Sequence, residues 1–294
     1  MASAALRDTR RRIKSVEATK KITRAMELIA ASRIPKAQAR VTGSKPYTQK
    51  LIEVIKNVGA AGAGSSHALL QRREPKTVGV LVVSSDRGLA GAYASNIIRM
   101  AEVRIHQLAR EGKDVIIYAV GKKAQSYFRY RGHRIEQSYL GVTDTPGYGD
   151  ARAIARTVMV AYADRRIDAV EAFYTRFQSA MTQEPTALEV LPVTRPEMDA
   201  TEALSRVAYE FEPSPEVILN RLLPMYVEAI VFNLLLEASA SEHSARRRAM
   251  KAATDNAEEL IKILRVQANR ARQAEITTAI TEIVGGAEAL AESK

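Results

Sequence analysis

The sequence predicts an α/β domain plus a long coiled coil. N- and C-terminal helices pair antiparallel, with a small Rossmann-like α/β domain between them. Three observations carry this. Both ends of the chain are long stretches dominated by strong helix formers, the middle carries continuous β-branched runs, and the basic charge is gathered at one end. The expected segments are residues 1–57 (N-terminal coiled-coil helix), 58–75 (Gly-rich linker), 76–195 (α/β domain), 196–214 (linker) and 215–294 (C-terminal coiled-coil helix).

The N-terminal stretch has neither Gly nor Pro before Pro35. Its apolar residues Leu6, Ile13, Val16, Ile22, Met26, Ile29 and Ile34 recur near a 3.5-residue period, with Lys and Arg around them. So thin a stripe cannot bury itself and needs a partner helix. Pro35 should kink the rod, since a proline inside a helix costs ~3 kcal/mol. Gly59, Gly62 and Gly64 among alanines and serines have a flexible linker composition.

In the middle, Val78–Val83 and Asp114–Val120 suit strands buried on both faces of a parallel sheet. Leu89 to Arg110, Lys122 to Arg131 and Asp150 to Arg165 read as helices. Ala169 to Arg176 and Ala187 to Val193 read as further strands, the last a hairpin partner. The C-terminal helix is expected over residues 215–288, with Ser214 as N-cap and Pro215 at the first helical position. A helix of about 74 residues spans about 110 Å, wider than an ordinary domain of this mass. The small residues Ala238, Ser239, Ala240, Ser241, Ala245 and Ala249 should form a seam for close helix approach. The longer helix overshoots its partner, and its tip, near Thr278 to Leu290, is expected to project as a single helix.

The 294 residues carry a net charge of +11, and residues 1–50 alone hold thirteen Lys/Arg against three Asp/Glu. A charge-balanced body therefore bears a basic arm that calls for an acidic partner. The charges ring the helix and aromatic residues do not interleave with them beyond the single Tyr47, which argues against nucleic acid as that partner. Having no cysteine, the chain carries no disulfide and no Cys-ligated metal. The longest apolar run, Ala229 to Leu236, is broken by Asn233 and falls far short of the ~20 residues of a membrane span. Ser84-Ser85-Asp86-Arg87-Gly88-Leu89-Ala90-Gly91 lies where a phosphate loop would, but it lacks G-x-G-x-x-G and the P-loop ending. It reads instead as a tight strand-to-helix turn, with Arg87 a surface cation for a protein contact. His67, His106, His133 and His243 have no metal-ligand spacing and are expected on exposed helix or loop surface. No catalytic constellation and no cofactor or metal site is expected.

Ile13 to Ser32, Ser84 to Gly91, and Ala249 to Ala257 with Asn269 to Gly286 together resemble, in order and over the full length, the signatures of the F-type ATP synthase gamma subunit family. The resemblance implies a non-catalytic central-stalk rotor. Its expected partners are an alpha and beta hexamer, an epsilon subunit and a membrane c-subunit ring. Carried over by motif, Met26 and Arg87 match positions facing an acidic region of beta. Arg272, Gln273, Thr277 and Glu282 match contacts near the helix end with beta. Pro35, Ala90 and Ala279 depart from the family pattern. Because the motif begins by Ile13, no cleavable organelle presequence is expected, and the implied location is peripheral, on the cytoplasmic face of a bacterial plasma membrane.

Overall fold

The computed structural model describes residues 4–60, 67–193, 212 and 214–292. Two compact units emerge, Ala30–Arg246 and Met1–Ile29 with Arg247–Lys294. Two helices contribute to both: α1 (Ala4–Ala60) and the last helix, α5 (Pro215–Glu292). Helix α1 continues through Pro35 and Pro46, and α5 through Pro224 and the Gly285-Gly286 pair. Burial of Ile34, Val41, Leu51, Ile55 and Val58 offsets the hydrogen bonds those prolines in α1 cannot make.

The larger unit holds a five-stranded sheet in the order β3-β2-β1-β4-β5. Strands β1 (Thr77–Val83), β2 (Asp114–Val120), β3 (Ile135–Tyr139) and β4 (Ala169–Phe177) run parallel, and β5 (Gln183–Leu191) pairs antiparallel with β4 as the expected hairpin partner. β3 was not legible in advance. Its sequence, Ile-Glu-Gln-Ser-Tyr, is polar and half-buried, because an edge strand packs on little. Helices α2 (Tyr93–Arg110) and α3 (Lys122–Tyr130) cover one sheet face around Ile97, Leu108 and Phe128. Helix α4 (Tyr148–Ala163) covers the other, together with Leu51 and Ile55 of α1 and Leu219, Leu223 and Val227 of α5.

The α2 helix starts at Tyr93, four residues later than the pattern from Leu89 suggested. Leu89 (φ 64°) and Gly91 (φ 59°) are both left-handed and cannot lie in a right-handed helix. One stretch of α5 is apolar enough to pass for a membrane span by composition, with a mean hydropathy of 1.4, which the longest unbroken run had not suggested. Half of that stretch is buried inside the protein, and the residues of α5 that pack on the sheet account for it as a core helix.

Gly121, at the end of β2, has φ 90°, and an added Cβ would lie 2.9 Å from the Ser85 carbonyl carbon. Both strain and contact forbid a side chain there. Gly121→Ala is expected to destabilise the chain by roughly 2 kcal/mol, read as a lower denaturant midpoint. An unchanged midpoint would mean that the Ser84–Ser85 backbone yields freely.

Candidate coupling surfaces

In a doubly wound sheet, a ligand crevice opens beyond the carboxyl ends of the strands where the strand order reverses. Here that point lies between β1 and β4, and the turn of residues 84–91 follows β1 directly. The crevice is filled by the chain's own α5. Tyr93 Oη donates to the Ala238 carbonyl at 3.1 Å, Ser241 Oγ donates to the Thr175 carbonyl of β4 at 3.1 Å, and Arg246 Nη2 approaches the Gly88 carbonyl at 3.5 Å. The small residues 238–241 thus let α5 approach the α/β body as well as α1, where Leu236 and Ala240 pack with Val41 and Phe177. The turn reading of residues 84–91 agrees with this arrangement, and Arg87 is exposed on it.

Asp86 fixes the turn from both sides. One carboxylate oxygen accepts the Lys122 backbone N–H at 3.1 Å, and the other accepts the Thr143 hydroxyl at 3.0 Å and its N–H at 3.2 Å. The next residue, Asp144, accepts both ways. Arg33 Nη1 of α1 donates to both its carboxylate oxygens. Ser239 Oγ of α5 donates to its carbonyl at 2.9 Å, and His243 Nε2 lies 3.2 Å from that carbonyl. A carbonyl only accepts, so this contact requires the Nε2–H tautomer. Arg40 of α1 donates to the Pro146 carbonyl two residues on.

His243 is a correction to the sequence reading, which expected an exposed surface histidine. Its ring is buried, 2% exposed, whereas His106 is exposed and His67 and His133 are partly covered. Beside it Glu242 (2%) and Arg246 (7%) form a buried ion pair. Burial lifts the Glu242 carboxyl above its ordinary range against the pull of Arg246, with Asp144 and Asp86 adding to the lift. Burial also lowers His243, and the nearby Arg246 and Arg33 cations lower it further, against the Asp144 carbonyl and carboxylate. Asp144 would be raised by its own burial, but the Arg33 hydrogen bond and charge, with His243 and Arg87, hold it below the usual carboxylate value.

The smaller unit is an antiparallel helix pair. The Thr23 and Thr254 hydroxyls meet at 2.8 Å inside the seam, and Lys20–Glu258 (3.1 Å) and Arg265–Glu17 (2.9 Å) bridge its flanks. Met26 is half-buried on α1. Nearby, five cations (Lys20, Lys21, Arg24, Lys262 and Arg265) and two carboxylates (Glu17 and Glu258) rim a groove of about 700 Å³ over Leu28 and Ile261. Farther along α5, Arg272, Gln273, Thr277 and Glu282 are all exposed. So are Ile276 (47%), Ile280 (56%), Ile283 (72%) and Val284 (52%), and Ala287 as well. At about 3.6 residues per turn, Arg272, Gln273 and Thr277 share the face of those apolar residues, while Glu282 falls on the opposite face. The Leu290 side chain, also expected on the apolar tip, lies outside the described residues. Among the described residues no cluster of His, Asp or Glu could hold a metal ion.

A depressed histidine favours the neutral form in the fold, so its contribution is intact at neutral pH. It is lost as pH falls below the unfolded value of about 6.5. Glu242 shifts the other way and regains stability on acidification, but it is common to wild type and variant and cancels in their difference. His243→Gln keeps a donor for the Asp144 carbonyl without a titrating ring. Between pH 7.5 and 5.5, wild type should therefore lose more unfolding free energy than the variant. Equal losses in denaturant titrations would contradict the burial argument.

A family model described as ATP synthase matches residues 5–290. The chain is 48% identical over 291 residues to the ATP synthase gamma chain of Parafrankia sp., covering 97% of this chain and 98% of the relative. It is 45% identical to that of Mycolicibacterium smegmatis, covering 99% and 100%. Among solved structures, a chain of the central stalk and c-ring of the Tetrahymena thermophila mitochondrial ATP synthase is similar with a TM-score of 0.58 and 26% identity, covering 79% of this chain and 99% of that one. A chain of the Euglena gracilis mitochondrial enzyme shares the fold with a TM-score of 0.70 at 16% identity, covering 97% and 94%. The chain belongs to the ATP synthase gamma-chain family and is, as such, a central-stalk rotor subunit of that enzyme and not one of its catalytic chains.

Proposed function

We propose that this chain turns inside a hexamer of alpha and beta subunits, seated on an epsilon subunit and a c-subunit ring at the cytoplasmic face of a bacterial plasma membrane, and couples proton flow to ATP synthesis or hydrolysis on beta. The observation that carries this reading is the exposed face of α5. Ile276, Ile280, Ile283, Val284 and Ala287 recur at spacings of one helix face and have no cover within the described residues. An exposed apolar stripe of this kind marks a contact surface. Arg272, Gln273 and Thr277 give that face its polar contacts with beta. A surrounding sleeve also meets the opposite side, which gives Glu282 its place.

Coupling needs a shaft whose faces differ. Three identical beta subunits meeting unlike faces are held in different conformations, so their nucleotide affinities differ, and rotation permutes those states. The basic groove beside Met26 and the exposed Arg87 supply screened attraction to acidic loops of beta, strong enough to steer and weak enough to slide. No cofactor or metal takes part on this chain, and the chemistry belongs to beta.

The double variant Arg272→Ala with Gln273→Ala should reduce ATP-driven proton pumping or assembly in reconstituted complex by about tenfold. Glu258→Ala, which removes only an exposed pair with Lys20, should have little effect. Equal losses would contradict the contact assignment. Arg87→Glu should slow turnover at low ionic strength, with the difference shrinking as salt rises. Salt-independent kinetics would remove Arg87 from the steering surface.

A further inference from the structure

One short loop of the larger unit is hydrogen-bonded to α1, to α5, to the turn after β1 and to the start of α4. Residues 140–147, between β3 and α4, accept from α1 at two points, Arg33 onto the Asp144 carboxylate and Arg40 onto the Pro146 carbonyl. They accept from α5 at two more, Ser239 and His243 onto the Asp144 carbonyl. Thr143 holds the Asp86 turn after β1, and at the loop's far end the Gly147 N–H donates to Asp150 at 2.8 Å, which caps α4. Next to it, Tyr148 Oη donates to Glu228 of α5 at 2.8 Å. Asp144 itself joins both long helices, α1 through its side chain and α5 through its carbonyl. None of these residues belongs to the contact surfaces described above.

We infer that Asp144 is the positioning residue of a clamp that makes α1 and α5 turn together with the α/β body. Two helices lying side by side resist sliding through packed side chains, but twisting about a common axis shears that packing with little loss of buried area. Resistance to twist needs directional bonds to a body off the axis, and hydrogen bonds with defined angles supply it. The Arg33–Asp144 bond is charge-assisted and half-buried, so it is screened less than a surface pair. The carbonyl side is sheltered by the buried His243 ring and Ser239. Asp144 therefore acts on coupling through the helices and touches no reacting atom.

The inference rests on the rotor reading, and its test separates the two. Intact ATP synthase with Asp144→Asn, Arg33→Gln or Arg33→Lys is placed in inverted membrane vesicles. ATP hydrolysis and ATP-driven proton pumping are measured, and the angular width of each dwell is recorded with a bead on the α/β domain. Asp144→Asn and Arg33→Gln should lower the ratio of pumping to hydrolysis by about threefold or more and broaden the dwells, with hydrolysis retained. Arg33 uses one nitrogen for both oxygens, so Arg33→Lys can keep the bond and should hold the wild-type ratio. If wild-type complex does not pump or rotate, the rotor reading fails. If wild type pumps and Asp144→Asn and Arg33→Gln keep its ratio and dwell width, the clamp alone is overturned. Loss of ratio in Arg33→Lys equal to that in Arg33→Gln also overturns it, since charge at Arg33 would then not be what matters.

Discussion

The larger unit depends on the lodging of α5 residues 238–246 in the crevice at the sheet's switch point. A doubly wound sheet leaves that crevice open at the carboxyl ends of its central strands, and in many proteins a nucleotide fills it. Here Ala238, Ser241 and Arg246 bond to α2, to β4 and to the turn after β1. The occupant is a helix, and what it brings is a small polar surface: Ser239, Ser241, Glu242, His243, Ser244 and Arg246 are all buried. Ser239 and His243 meet the Asp144 carbonyl, Ser241 the Thr175 carbonyl of β4 and Arg246 the Gly88 carbonyl, while Ser244 bonds back to the Ala240 carbonyl and Glu242 pairs with Arg246. A site that could have bound a ligand has become a joint.

The same constraint explains the charge distribution inside that joint. Glu242 and Arg246 sit one helical turn apart with side chains 3% and 9% exposed. Two buried charges stabilise less than well-packed apolar residues of similar volume would, but removing one partner leaves the other stranded at a cost of about 3–5 kcal/mol. The pair lies within α5, and it is Arg246, through the Gly88 carbonyl, that ties it to the body. An apolar helix face could slide along an apolar crevice by a turn, whereas a face whose polar groups meet fixed carbonyls has one register.

Much of this was legible in the sequence. The helix-forming ends, the β-branched strands β1, β2 and β4, and the antiparallel partner β5 follow from composition and periodicity, which are local properties. What was not legible depends on packing. β3 is an edge strand whose Ile135 and Tyr139 are only partly buried, so no hydrophobic run announces it. The late start of α2 comes from two left-handed residues, one of them Leu89, a type that seldom adopts that conformation. The burial of His243 was missed because a histidine among serines and charges reads as surface. A signal was present, however, in the Glu242–Arg246 spacing of one helical turn and in the absence of large apolar residues from 238 to 246, where a helix facing a core would normally show them. Of the residues proposed to touch beta, Arg272, Gln273 and Thr277 share the exposed apolar face of α5 and Glu282 lies on the other.

The two units divide two mechanical demands between them. In the smaller unit the flanking pairs are exposed, with Lys20 and Glu258 at 36% and 51% and Arg265 and Glu17 at 63% and 40%, and each such pair contributes at most about 1 kcal/mol. Its cations are therefore largely free to exchange one carboxylate for another, which is what the proposed passage of this surface past successive beta subunits requires. In the larger unit the bonds of the 238–246 segment are buried and mostly end on backbone carbonyls, so they do not exchange without unseating the helix. Weak contacts outside and fixed contacts inside are what a part needs if it is to slip past its surroundings without yielding within itself. The distribution of burial along α5, from the enclosed 238–246 segment to the bare 276–287 face, records that division on a single helix.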